Sequence, residues 1–116
     1  MTTVTVYTAH DGYCRGFECH GHAGYAQEGE DIVCAGISAI VINTVNCLED
    51  LLKLPLSVQY DDDGNISCMF ERPDSEPLCG KAALLTDSMI HGLEWIRLQY
   101  GDEYLKIENR TITADT

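Results

Sequence analysis

The stretch GHAGYAQEGEDIVCAGISAI, residues 21–40, contains the boundary around which the rest of the chain is organised. Its first half is glycine-rich and polar, whereas its second half begins an apolar run that continues with helical periodicity to about residue 53. The apolar residues recur at three- and four-residue steps: Val33, Ile37, Ile40, Val41, Val45, Leu48 and Leu52. Because the first turns are apolar nearly all round, we expect a deeply buried helix.

The segments on either side of this helix have the signals of short strands and one further helix. Residues 2–8 alternate β-branched and aromatic side chains, and turn residues separate later alternating segments. The predicted segments are strands at residues 2–8, 16–21, 56–60, 66–71 and 104–108, and helices at residues 32–53 and 78–100. The order β-β-α-β-β-α-β predicts one α+β domain over residues 1–116, with a five-stranded sheet packed against two helices. The pattern does not determine the strand order.

Charge and composition exclude several classes of function. With 7 Lys and Arg against 19 Asp and Glu, the net charge is −12, which argues against direct nucleic-acid binding and favours a basic partner. The N-terminal residues lack the features of a signal peptide, and no apolar run approaches the roughly 20 residues of a membrane span. We therefore expect a cytoplasmic protein without membrane contact, whose six cysteines are free thiols.

Cys34 lies where the polar loop becomes the helix. Asp31 is a suitable N-cap, which makes Cys34 the third helical residue. Unpaired backbone N–H groups and the helix dipole there favour a thiolate, the nucleophilic form of cysteine. His22 lies 12 residues earlier, and Gly24 and Gly29 allow the intervening loop to bring its imidazole to the sulfur. The pattern therefore indicates a Cys–His pair that needs no metal or cofactor.

The motif Gly21-His22-Ala23-Gly24-Tyr25-Ala26, followed by Gly29 and by Asp31-Ile32-Val33-Cys34-Ala35-Gly36-Ile37-Ser38, resembles the signature of the ribosomal-processing cysteine protease (Prp) family. The resemblance covers nearly the whole chain, including its length and the order of its elements. It implies that His22 is the general base and Cys34 the nucleophile. It also implies a substrate, the N-terminal extension of the basic large-subunit ribosomal protein number twenty-seven, and a homodimeric enzyme.

Other residues around the pair have two interpretations each. Asp31 either caps the helix alone or also orients His22. Ser38 lies one turn beyond Cys34 and hydrogen-bonds either near the site or back to the helix carbonyl. We expect backbone N–H groups at the helix start to form an oxyanion hole. A loop containing Gly21, Gly24, Tyr25 and Gly29 is expected to contact substrate, and its remaining polar residues predict mobility because apolar anchors are few.

Two hypotheses from other classes compete with this interpretation. Cys14, Cys19, His20 and His22 are all metal-ligand types, although their spacing is not typical of zinc sites and a strand would direct Cys19 and His20 to opposite faces. The second alternative is a non-enzymatic, ribosome-associated module that binds a basic ribosomal protein.

Overall fold

The computed structural model describes residues 1–27 and 31–112, and their elements follow the predicted order. The elements are β1 (Thr2–Thr8), β2 (Cys14–His20), α1 (Ile32–Asp50), β3 (Ser57–Tyr60), β4 (Ile66–Met69), α2 (Glu76–Tyr100) and β5 (Leu105–Thr111). The predicted α+β class, with one five-stranded sheet and two helices, is confirmed.

The strand order of the sheet is β3-β4-β2-β1-β5. The β1–β2, β2–β4 and β3–β4 pairs are antiparallel, whereas β1 and β5 are parallel. β1 is therefore next to the central strand β2 and also pairs with the last strand of the chain. Because β1 and β5 are parallel neighbours, the start of β1 and the end of β5 lie at opposite ends of the two strands.

Several element boundaries differ from the predicted ones. β2 begins two residues earlier than expected, at Cys14, and β4 ends at Met69 rather than at residue 71. β5 continues to Thr111 because its polar second half pairs with β1 residue for residue. α1 ends at Asp50, and Lys53 adopts a φ of 56° in the turn that follows, where the amide of Leu54 donates to the carbonyl of Leu48.

The helices and the apolar face of the sheet enclose one core. Val4 and Val6 of β1 and Phe17 of β2 contribute to it from the sheet. The helices approach closely where they carry glycine: a Cβ on Gly36 would lie 3.4 Å from Ile96 Cδ1, and one on Gly92 would lie 3.2 Å from Ile40 Cδ1. This close packing fixes the start of α1 relative to the end of α2.

α1 differs from the sequence-based expectation in one respect. Among the described residues, α1 has the length and the apolar composition that a membrane-spanning helix needs. The core helix of a globular domain satisfies the same criteria. In this structure α1 contributes six buried residues to the interior: Val33, Ile37, Val41, Thr44, Val45 and Leu48.

Candidate active site

The start of α1 is capped by a side chain that also contacts the preceding loop. Asp31 has extended backbone angles, and its Oδ1 accepts a hydrogen bond of 2.9 Å from the amide of Cys34. Its Oδ2 accepts from the amides of Tyr25 at 2.9 Å and Ala26 at 3.4 Å. The predicted N-cap is therefore present, and the same carboxylate ties residues 25 and 26 to the helix.

His22 follows β2, and a glycine sets its position. Gly21 has a φ of +87°, and its amide donates to Asn65 Oδ1 at 3.0 Å. A Cβ at Gly21 would lie only 2.5 Å from the carbonyl oxygen of Met1. The turn thus requires glycine, and it places His22 Nδ1 3.9 Å from Cys34 Sγ.

A cavity of about 410 Å³ lies beside this pair of side chains. Its lining residues are His22, Gly24, Ala26, Asp31, Cys34, Ala35 and Ser38. The imidazole of His22 is exposed, whereas the thiol of Cys34 is half-buried. The cavity is therefore open to a polypeptide segment that reaches the sulfur from solvent.

The loop before α1 has an apolar anchor that the sequence interpretation did not assign. The Tyr25 ring packs edge-to-face against Tyr100, with centroids 5.5 Å apart, and against Tyr104, with centroids 5.2 Å apart. Tyr25 does not belong to the cavity lining, although Gly24 and Ala26 on either side of it do. Residues 25 and 26 are thus held by these ring contacts and by Asp31, and Gly29 lies outside the described residues.

Comparison with known proteins supports the same interpretation as this geometry. The family model for the cysteine protease Prp matches residues 1–106. The chain belongs to the Prp family of cysteine proteases. A ribosomal processing cysteine protease Prp of Bacillus subtilis is 38% identical over 104 residues, which cover 88% of this chain and 92% of that protein. The corresponding Staphylococcus aureus protein is 29% identical over 102 residues, covering 88% of this chain and 93% of that one.

Solved Prp structures have the same fold. The S. aureus Prp structure with a covalently linked product peptide has a TM-score of 0.83 and 27% identity, covering 95% of this chain and 100% of that one. Its complex with a substrate peptide has a TM-score of 0.77 and 26% identity, at the same coverage. The predicted family is confirmed, and the chain is a ribosomal-processing cysteine protease. The hypothesis of a non-enzymatic module is therefore wrong.

The structure does not bring the four residues of the alternative metal site together. Cys14 and Cys19 are the first and sixth residues of β2, which separates them by roughly 16 Å at the usual rise per strand residue. Cys19 is buried and His20 is exposed, as expected for opposite faces of a strand. Within residues 1–27 and 31–112, no three His, Cys, Asp or Glu side chains are grouped closely enough to hold a metal ion.

Burial distinguishes three of the other cysteines, Cys14, Cys19 and Cys68, from Cys34. Burial raises the pKa of Cys19 to about 11 and that of Cys68 to about 12. Burial also raises the pKa of Cys14. These side chains remain neutral thiols at physiological pH and pack as small apolar groups. Cys34, in contrast, lies at the cavity and beside an imidazole in this Prp chain.

The oxyanion hole expected at the helix start is contradicted for two of its amides. The amide of Cys34 donates to the Asp31 side chain, and the amide of Ala35 donates to the Asp31 carbonyl at 3.0 Å. Both groups are satisfied within the N-cap, so they do not point as free donors into the cavity. Sequence reasoning also missed Asn65, Tyr100 and Tyr104, because each contacts a site residue far away in the chain and no local pattern indicates such a contact.

Proposed function

We propose that this chain removes the N-terminal extension of the large-subunit ribosomal protein number twenty-seven, using Cys34 as nucleophile and His22 as general base. The observation that carries this proposal is the 3.9 Å separation of His22 Nδ1 and Cys34 Sγ beside an open cavity. The S. aureus relative forms complexes with a substrate peptide and with a covalently linked product peptide. A covalent peptide adduct is what a nucleophilic cysteine produces.

In the proposed reaction, His22 Nδ1 accepts the proton of the Cys34 thiol, and the thiolate attacks the scissile carbonyl carbon. The tetrahedral intermediate collapses to a thioester as the amine leaves with the proton from the imidazolium. Water then attacks the thioester carbonyl carbon and gives a proton to His22. The C–S bond breaks, the new carboxyl group is released, and His22 returns the proton to Cys34 Sγ, which restores the thiol. Catalytic hydrogen bonds are often long before substrate binds, and a contact of 3.9 Å is in keeping with that behaviour.

The remaining site residues have supporting roles in this proposal. Both oxygens of Asp31 accept amide hydrogen bonds, which supports a capping role rather than the orientation of His22. Ser38 lines the cavity and is assigned a contact with bound peptide. Gly21 positions His22, and Gly24 forms part of the wall beside the peptide.

The partners follow from charge and exposed surface. A net charge of −12 suits the basic ribosomal protein and disfavours nucleic acid, and the cytoplasm, where ribosomes mature, is the assigned compartment.

A second copy of the chain is the other assigned partner. Three large apolar side chains of α2 are more than half exposed, namely Leu84, Trp95 and Leu98. Sedimentation equilibrium of the wild type and of Trp95→Glu tests this: the wild type should be dimeric and the variant monomeric.

The cleavage itself is tested on the intact ribosomal protein with its extension. Mass spectrometry should show loss of the extension with the wild type and no change with Cys34→Ala. Cys47→Ala is the matched control, because Cys47 is also a half-buried cysteine of α1 but lies near its opposite end. Cleavage by Cys34→Ala, or no cleavage by the wild type, would contradict the proposal.

A further inference from the structure

The ring of Tyr25 contacts Tyr100 and Tyr104, next to residues that form part of the cavity wall. Gly24 and Ala26 line the cavity and Tyr25 does not. Its ring instead meets Tyr100 at an interplanar angle of 84° and Tyr104 at 74°. Both arrangements are edge-to-face, the geometry that aromatic quadrupoles favour. The part of the cavity wall next to Tyr25 is therefore held by two aromatic contacts, with Tyr100 and with Tyr104.

The two receiving tyrosines are themselves fixed by the backbone. Tyr100 is the last residue of α2, and the amide of Gly101 closes the helix by donating to the carbonyl of Arg97 at 2.9 Å. The amide of Tyr104 donates to the carbonyl of Gly101, and its own carbonyl accepts from the amide of Thr2 at 3.0 Å. Tyr100 and Tyr104 thus belong to the junction of α2 with the sheet, where backbone hydrogen bonds hold both residues.

From Tyr25 the connection continues through hydrogen bonds to Asp31 and to the backbone amide of Cys34. The amides of Tyr25 and Ala26 donate to Asp31 Oδ2, and Oδ1 of the same carboxylate accepts from the amide of Cys34. Because these three amides share one carboxylate, the position of residues 25 and 26 affects how Asp31 is held beside the backbone of Cys34.

We propose that Tyr100 and Tyr104 are positioning residues of the active site, which hold Tyr25 so that the amides of residues 25 and 26 stay on Asp31 beside Cys34. They touch neither the substrate nor the reacting atoms. The proposal rests on the proposed function for the cleaved bond, but its effect on the Cys34 thiol is independent of the substrate. Tyr100 and Tyr104 thereby affect catalysis although they are more than 60 positions away from Cys34 in the chain.

The test replaces the rings while keeping apolar bulk. In Tyr25→Leu, and in Tyr104→Leu, kcat for a peptide substrate should fall about tenfold, with KM nearly unchanged because Tyr25 does not line the cavity. Alkylation of Cys34 by iodoacetamide at neutral pH should also slow severalfold. Tyr25→Phe and Tyr104→Phe keep the rings and should retain wild-type values. The variant with both replacements should lose little more than Tyr25→Leu alone, since Tyr25→Leu already removes the contact with Tyr104.

The controls separate positioning from general loss of stability. Tyr60→Leu makes the same replacement at an exposed tyrosine of β3, at the sheet edge opposite β5, and should change neither kcat nor alkylation. Urea unfolding of each variant shows whether it is folded, and Tyr100→Leu provides a further position for the same comparison. Wild-type kcat and alkylation in the leucine variants, additive losses, or a raised KM at constant kcat would overturn the proposal. Failure of the wild type to cleave would instead reject the proposed function, and the alkylation comparison would still decide the role of the tyrosines.

Discussion

Replacement of Asp31 by alanine tests the link between folding and catalysis at the start of α1. The change removes the acceptor for the amides of Cys34 at 2.9 Å, Tyr25 at 2.9 Å and Ala26 at 3.4 Å. Loss of an N-cap costs about 1 kcal/mol. The other two amides lie in an exposed part of the loop where water replaces the carboxylate, so together they add less than about 1 kcal/mol. The free energy of unfolding should therefore fall by about 1–2 kcal/mol.

Asp31→Asn divides the two roles of this carboxylate. Its single side-chain oxygen still caps the helix at Cys34, whereas its NH₂ group accepts no hydrogen bond from Tyr25. Urea unfolding should show that the asparagine variant keeps most of the stability lost in Asp31→Ala. Its kcat for peptide cleavage should nevertheless fall nearly as far as that of the alanine variant. Wild-type cleavage by Asp31→Asn would refute the argument, because it would show that the tie to the loop has no effect on the reaction.

The pH dependence of stability offers an independent check on Asp31. Desolvation, the largest single effect, raises the pKa of this carboxyl group, but the amide hydrogen bonds led by that of Cys34 outweigh it and leave the pKa lowered. A lowered folded-state pKa contributes stability that is present above the unfolded pKa of about 3.9 and is lost as pH falls through the folded value. The difference in unfolding free energy between the wild type and Asp31→Ala should therefore shrink in acid below about pH 4.

Three further results are expected. His22→Ala should lower kcat/KM by about 10²–10⁴-fold at an almost unchanged urea midpoint, and retention of most activity would contradict the dyad. Iodoacetamide should modify Cys34 first in the native protein and leave Cys19 intact until unfolding, since burial raises the pKa of Cys19 to about 11. If peptide mapping shows that Cys19 is modified before Cys34, the assigned nucleophile is rejected. Gly21→Ala should lower the free energy of unfolding by about 2 kcal/mol or more, because residue 21 has a positive φ and the added Cβ would clash with the backbone. Gly24→Ala should lower it by about 1 kcal/mol, because only the positive φ is unfavourable there. Equal losses measured by urea unfolding would show that the clash has no effect.

The local features of this protein are predictable from short stretches of its sequence. Alternation identifies β1, and three- and four-residue spacing identifies α1 and α2, since both patterns report which face of an element is buried. Asp31 and Cys34 are placed correctly at the helix start because an N-cap depends only on the next few residues. The family motif lies within the same continuous segment, so the order of residues in that segment is enough to recognise it.

Only the tertiary structure decides which distant segments meet. The parallel pairing of β5 with β1 extends through residues without strand alternation, because its stability comes from the ladder with β1 rather than from local preference. No local pattern predicts that the ring of Tyr25 lies against Tyr100 and Tyr104. Packing of α2 against α1 brings that helix end beside the loop. Such contacts depend on how all the elements pack into one core. The pattern of a single segment therefore does not predict them, because they join residues that are far apart in the chain.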